Sequence, residues 1–234
     1  MIPDISSLPD RIRSDVVRVL RNIGLRMPKI QLPAKLIVVI ADGLPDAIIA
    51  SLLLHKLDGK WMAGIFRPSQ LGFDNIGKNI STYMHRGLRQ NAYLVIVDQE
   101  EASLDDAWRR IEKSLRDHGL SYSEVKGDLR WKLYECKHGI TEFRLAVAIS
   151  GQETPYQKHT IEDHLLTLAI IKGYTDEAEI KKHNNPKDAW KSLCRRISNL
   201  KTKIFEEIAT ESEKAIIKIF EQHIKAIKEL TTES

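Results

Sequence analysis

Cysteine is scarce in this 234-residue chain: Cys136 and Cys194 lie far apart and belong to no CxxC or Cys/His spacing. That scarcity argues against a disulfide framework and a thiolate zinc site and favours a reducing compartment. Long apolar runs are missing as well, and none reaches the roughly 18 residues that a membrane span needs. The opening stretch MIPDISSLPDRIRSDVV has neither the basic nor the apolar region of a signal peptide. The expectation is a cytoplasmic protein without membrane association. There is no phosphate loop ending in Gly-Lys-Ser/Thr, no GxSxG elbow and no HExxH motif, which sets aside the commonest nucleotide, hydrolase and metalloprotease readings. His159 and His164 are too far out of phase to share a helical face as a metal pair. Charge of one sign is not in large excess either, at 36 Lys and Arg against 32 Asp and Glu, so the net +4 says little about partners.

What is present is a rhythm of apolar strands and helices. Ile12, Val16, Val17, Leu20, Ile23 and Leu25 predict an amphipathic helix over Pro9 to Arg26, ended by Pro28 and Pro33. Leu36 to Ala41 (LIVVIA) is a continuous apolar run closed by Asp42-Gly43, as in a strand covered on both faces. A helix follows over Ala47 to Leu57, then a strand over Trp61 to Phe66, a helix over Ile76 to Leu88 and a strand over Ala92 to Val97, closed by Asp98. Ser103 to Asp106 reads as a capping box opening the next helix. Such alternation predicts a largely parallel sheet flanked by helices, with the strands at Leu36 to Ala41 and Ala92 to Val97 adjacent in its interior. After Gly119 the pattern becomes a late β-hairpin, with one strand over Glu124 to Cys136 and the other over Phe143 to Ile149. The remainder reads as helical: Thr160 to Lys172, Pro186 to Asn199, and one long helix from Lys201 to about Leu230. The chain thus divides into an N-terminal helix and linker (1–34), an α/β domain (35–172) and a C-terminal helical extension (173–234).

In an open parallel sheet, ligands bind at the carboxyl ends of the strands. Asp42 follows one central strand, and Asp98 and Glu100 follow another. Carboxylates converging there make an oxygen-rich site suited to magnesium or manganese. Crowded acids raise one another's pKa, so perturbed carboxylates or a compensating Lys or Arg are expected beside them. Asp42 also suits a strand-to-helix turn, and Asp46 complements a helix N-terminus. Glu162 and Asp163 are accounted for in the first turn after Thr160, with Asp163 as a capping partner. Glu153 follows the last strand and is a further candidate for the crevice. Asp98 and Glu100 are surplus to capping, because Ser103 already supplies it.

The order of these pieces resembles the Toprim domain, found in topoisomerases, bacterial-type primases, small nucleases and uncharacterised archaeal and bacterial proteins. That family carries an acid followed by Gly after its first strand, often with another polar or acidic residue three positions on, matched by Asp42-Gly43 and Asp46. It also carries an Asp-x-Asp pair after a later strand, matched by Asp98-Gln99-Glu100. The resemblance covers about Leu36 to Leu120, with a weaker echo through Ser150 to Leu166. It departs from the family at Asp42, where Glu is usual, and at Glu100, where Asp is usual.

The resemblance implies a Toprim-like fold and metal-dependent phosphodiester chemistry on nucleic acid, as a nuclease or related phosphotransferase. Asp98 and Glu100 would hold Mg2+ or Mn2+, and Asp42 would be a further ligand or general base. Arg67, Lys78, Arg86 or Arg89 would position phosphates. The alternative is a catalytically degenerate binding module for nucleic acid or a protein partner. The stretch from Lys187 to Lys203, read as a basic helix, adds Lys191, Arg195 and Arg196 as candidate nucleic-acid contacts. The apolar stripe from Ile204 to Ile227 is expected to serve the chain's own core, with a homo-oligomer through these helices as its other use.

Overall fold

In the computed structural model the described residues are 2–4, 18–19, 21–22, 36–57, 62–66, 68, 70–85 and 91–232. The helix expected over Pro9 to Arg26 lies outside them, except that residues 18, 19, 21 and 22 are helical. In chain order the elements are β1 (Ile2–Asp4), β2 (Leu36–Ala41), α1 (Leu44–Leu57), β3 (Met62–Phe66), a 3-10 turn (Phe73–Asn75), α2 (Ile76–His85), β4 (Ala92–Asp98) and α3 (Leu104–Asp117). Then come β5 (Ser121–Asp128), β6 (Trp131–His138), β7 (Thr141–Ser150), α4 (Ile161–Ile171), α5 (Glu177–Ile180), α6 (Pro186–Arg196), α7 (Leu200–Thr210), α8 (Glu213–Ile217) and α9 (Glu221–Thr231).

The strands form one sheet in the order β1-β3-β2-β4-β7-β6-β5. The first five run parallel, and β6 pairs antiparallel with both β7 and β5. β2 and β4 are adjacent, parallel and interior, as their uninterrupted apolar character requires. Alternate residues of these strands enter different cores. Ile37, Val39, Leu94 and Ile96 face α1, α4, α6, α7 and α9, whereas Val38, Ile40, Tyr93 and Val95 face α2 and α3. The period of two thus assigns one side of the sheet to each helix layer. Gly77 lets α2 and α3 meet closely, since a Cβ there would stand 2.1 Å from the Ser114 carbonyl oxygen.

The late hairpin is larger than the sequence pattern implies. Glu124 to Cys136 is two strands, not one, with a turn at Leu129-Arg130. β5 is exposed along almost its whole length and is held by its ladder to β6. The expected long C-terminal helix is likewise divided. Glu211, with φ −59° and ψ 155°, leaves helical geometry after α7, and Ser212 accepts the Ala215 N–H to open α8. The stretch from Lys187 to Lys203 is divided too, at Ile197 and at Asn199, which has φ 60°. Ile204, Phe205, Ile208, Ile216, Ile219, Phe220, Ile224 and Ile227 are buried in the chain's own core. No helix among the described residues is long and apolar enough to cross a membrane, and both cysteines are free.

α9 is fastened to the sheet at both ends. Arg144 of β7 donates to the carbonyls of Glu229 and Thr232, each at 2.9 Å, supplying partners that a helix C-terminus lacks. At the other end lies a buried polar group. His223 Nε2 is 3.0 Å from Ser150 Oγ, and Gln222 donates to the Gly151 carbonyl at 3.1 Å. His164 Nε2 accepts the Gly151 N–H at 3.0 Å, which leaves its Nδ1–H to donate to Ile219 at 2.6 Å. Burial pushes His164 down to about 4 and His223 well below its ordinary range, with Arg130 adding to both effects. A histidine whose folded pKa lies below its unfolded value stabilises the fold fully above the unfolded pKa and loses that contribution as pH falls through the folded one. The histidines therefore add to the folding free energy, as followed by urea denaturation, a component that falls from about pH 6.5 toward about pH 4, opposite in sign to that of the buried carboxylates with raised pKa. His223→Gln should flatten that slope.

Candidate functional site

The chain runs from β2 through α1 to β3 on one side, while β4 lies on the other side of β2. Their carboxyl ends therefore flank the switch point where a crevice opens in such a sheet. A cleft of about 500 Å3 lies there, lined by Asp42, Asp98, Glu100 and Asp106 and flanked by Arg110 and Lys158. The three acids singled out from sequence thus line one cleft. Among the described residues, however, no three acidic, histidine or cysteine side chains are gathered closely enough to hold a metal ion together.

Asp98 ends β4 on the face of Leu94 and Ile96 and is 3% exposed. Its Oδ1 accepts the Ile161 N–H at 2.8 Å, so it satisfies the first backbone donor of α4. Its Oδ2 accepts from Lys187 Nζ at 3.1 Å, and the same ammonium reaches Glu100 Oε1 at 3.4 Å. Burial raises the Asp98 carboxyl to about 7, with Lys187 opposing the shift and Glu162 adding to it. Although burial works against its charge, Asp98 and Glu100 hold the Lys187 ammonium above its ordinary range.

Glu100 has the left-handed φ of 57°, uncommon for a non-glycine residue. Two backbone bonds to His159, both 2.8 Å, hold it in that conformation, and its carboxylate pairs with Lys158. The loop reaching back from β7 is shaped by Gly151, with φ 137°, where a Cβ would lie 2.7 Å from that of His159. Asp163, fully buried, accepts from Thr160 N at 3.1 Å and Thr154 Oγ1 at 3.0 Å and sits 3.2 Å from His159 Nδ1. The capping role read for Asp163 is thus present, together with a contact to His159. Glu162 accepts from the Thr160 hydroxyl at 2.7 Å. Glu153 is exposed and does not line the cleft.

Asp46 lies buried near these acids. It is 2% exposed; its Oδ2 accepts the Gly43 N–H at 3.1 Å, and its Oδ1 has no hydrogen-bond partner among the described residues. Burial raises its pKa well above the ordinary value, and Asp98, Glu162 and Asp42 raise it further. Its negative charge suits the first turn of α1, but a helix-capping role does not explain the crowding of acids around it. Perturbed carboxylates and a compensating lysine, the two expected consequences of crowded acids, both occur here.

Lys187 and Lys158 were not singled out as site residues from sequence. For Lys187 a signal existed, since it is the second residue of α6, where the helix's positive end disfavours an ammonium. Of the basic candidates, Lys191 and Arg195 are exposed on α6 and Arg196 pairs with Glu179 at 3.0 Å. Lys78 is exposed on α2, while Arg67, Arg86 and Arg89 lie outside the described residues.

Because the Asp46 pKa is raised on folding, its contribution to stability is present below the unfolded value near 3.8 and is lost as pH rises through the folded value. Asp46→Asn removes the charge and turns an amide toward the neighbouring acids. Urea denaturation should find this variant more stable than the parent by about 1 kcal/mol or more at pH 8, with a smaller difference at pH 5. Comparison with family models, curated proteins and solved structures finds no match to this chain.

Proposed function

We propose that the cleft binds magnesium or manganese and serves metal-dependent phosphodiester chemistry on nucleic acid, in a Toprim-like nuclease or related phosphotransferase. The observation that carries this reading is the gathering of Asp42, Asp98 and Glu100 in one cleft at the carboxyl ends of parallel strands, with Asp46 buried outside its lining and one Asp46 oxygen lacking a hydrogen-bond partner among the described residues. An all-oxygen donor set suits a hard cation. Magnesium is commonly held by one or two carboxylates and keeps several waters, so a site without a three-residue cage still fits it. Asp98 would hold the ion, with Asp42 and Glu100, which line the same cleft, as further or water-mediated ligands. Such an ion supplies charge stabilisation at phosphoryl oxygens. Asp42, half-buried in the cleft wall, would take a proton from the attacking group. Arg110 and Lys158 at the margin, and Lys191 and Arg195 further out on α6, would meet phosphate oxygens.

The alternative, a catalytically degenerate binding module, draws support from the lysines that already neutralise Asp98 and Glu100. A manganese titration followed by a cleavage assay separates the two. Under the enzymatic reading, Mn2+ raises the melting temperature of the parent and not of Asp98→Asn. Cleavage of single- or double-stranded nucleic acid would fall at least about a hundredfold in that variant, the scale on which a misplaced reacting group acts. Nucleic-acid binding without a manganese shift or cleavage would favour the module.

The role of α6 is tested separately. Neutralising Lys191, Arg195 and Arg196 together should weaken binding equally for unrelated sequences and flatten its salt dependence, as measured by fluorescence anisotropy between about 50 and 200 mM salt. Unchanged affinity would assign these charges to solubility.

A further inference from the structure

Both oxygens of Asp98 are already engaged. Oδ1 holds the Ile161 N–H at the start of α4, a backbone bond that cannot be given up without moving the helix. Oδ2 accepts from Lys187, so a cation that coordinates this oxygen meets the ammonium at close range. We propose that Lys187 is the resident counter-cation of the acid cluster, a latch between α6 and the cleft that a divalent ion displaces. This rests on the cation-binding reading above.

The placement of Lys187 supports the role. Asn185 caps α6 by accepting the Asp188 N–H at 2.9 Å, and Pro186 occupies the first helical position. The helix therefore gains nothing from an ammonium in its first turn, where the macrodipole opposes it. The ammonium instead bridges Asp98 and Glu100 across the chain. The carboxylates outnumber the lysines: Lys187 and Lys158 face Asp98 and Glu100, Glu162 also acts on Lys187, and the buried Asp46, whose Oδ1 has no hydrogen-bond partner among the described residues, feels the Asp98 charge. A dication would supply the missing charge.

Release is also mechanically inexpensive. The Lys187 side chain is 37% exposed, so its flexible stem can swing the ammonium into water. α6 stays in place without it, because Ala189, Trp190 and Leu193 are buried in the core. Glu100 keeps a partner in Lys158. A dication bound at Asp98 would repel an ammonium a few ångströms away, which drives the exchange.

The test uses the full chain and Mn2+ alone. Binding is read by electron paramagnetic resonance for the parent, Lys187→Met and Asp98→Asn. In parallel, the acylation rate of Lys187 in the parent is followed by mass spectrometry with and without Mn2+, relative to the exposed Lys214. The latch predicts roughly tenfold tighter Mn2+ binding in Lys187→Met, a common size for coupling between two ligands of one site. It also predicts several-fold faster acylation of Lys187 when Mn2+ is bound, and no binding in Asp98→Asn. Binding by Lys187→Met alone would support the latch in its strongest form, the lysine outcompeting the ion. If the parent binds Mn2+ but Lys187→Met binds no more tightly, or Lys187 acylation does not change, the latch is overturned and the cation site stands. If neither protein binds Mn2+, the cation reading falls and the latch with it. Should Lys187→Met fail to fold, the acylation measurement on the parent decides.

Discussion

The Asp98 carboxylate, held at the end of a fully buried strand, links the sheet to two helices that come much later in the chain. A charge in that position is costly unless it is paired and hydrogen-bonded. Its two oxygens are satisfied by residues 63 and 89 positions away, the Ile161 N–H and the Lys187 ammonium. α4 therefore begins against the end of β4, and α6 is drawn to the same point. The loop between β7 and α4 is bent back to meet it, with Gly151 allowing the close approach and His159 holding Glu100 in its left-handed conformation.

The acid cluster is stable in this form because different devices offset each charge. Asp98 has a helix N-terminus and a lysine, Glu100 has two lysines, and Glu162 accepts a hydroxyl. Asp46 has a fully buried oxygen without a hydrogen-bond partner among the described residues, and its pKa is raised most by burial and then by its neighbours. Stored electrostatic tension of this kind often marks functional sites, although structural ion networks also create it. The crevice is lined by Asp42, Asp98, Glu100 and Asp106 together with Arg110 and Lys158, so both signs of charge meet in it.

The C-terminal helices become part of the same body at this end of the sheet. α7 and α9 carry the apolar stripe that covers α1 and one face of the sheet. The His164, Gln222 and His223 group then anchors α9 beside Ser150, the register partner of Asp98, and Gly151. Packing and polar anchoring therefore converge on the ends of β4 and β7, the end of the sheet where the cleft lies.

By itself the sequence determined the elements whose signal is local. Uninterrupted apolar runs rich in β-branched residues at Leu36 to Ala41 and Ala92 to Val97 suit strands covered on both faces, and Ser103, Thr160 and Asn185 mark helix starts because their side chains suit the cap position. The presence of acids at the strand ends was legible for the same reason. Tertiary structure alone decided the rest. β5 has almost no apolar face, so only its ladder to β6 makes it a strand. The long C-terminal pattern breaks at Glu211 because the chain must turn to cover the sheet. Lys187 read as one charge of a solvated basic run, and its pairing with Asp98 depends on how α6 docks, a long-range outcome that no local period encodes. Asp46 read as a helix-terminus charge, and its burial among other carboxylates follows from the switch in strand order beside β2. Local chemistry thus set which residues could form a site, and the crossing of distant segments set which of them meet.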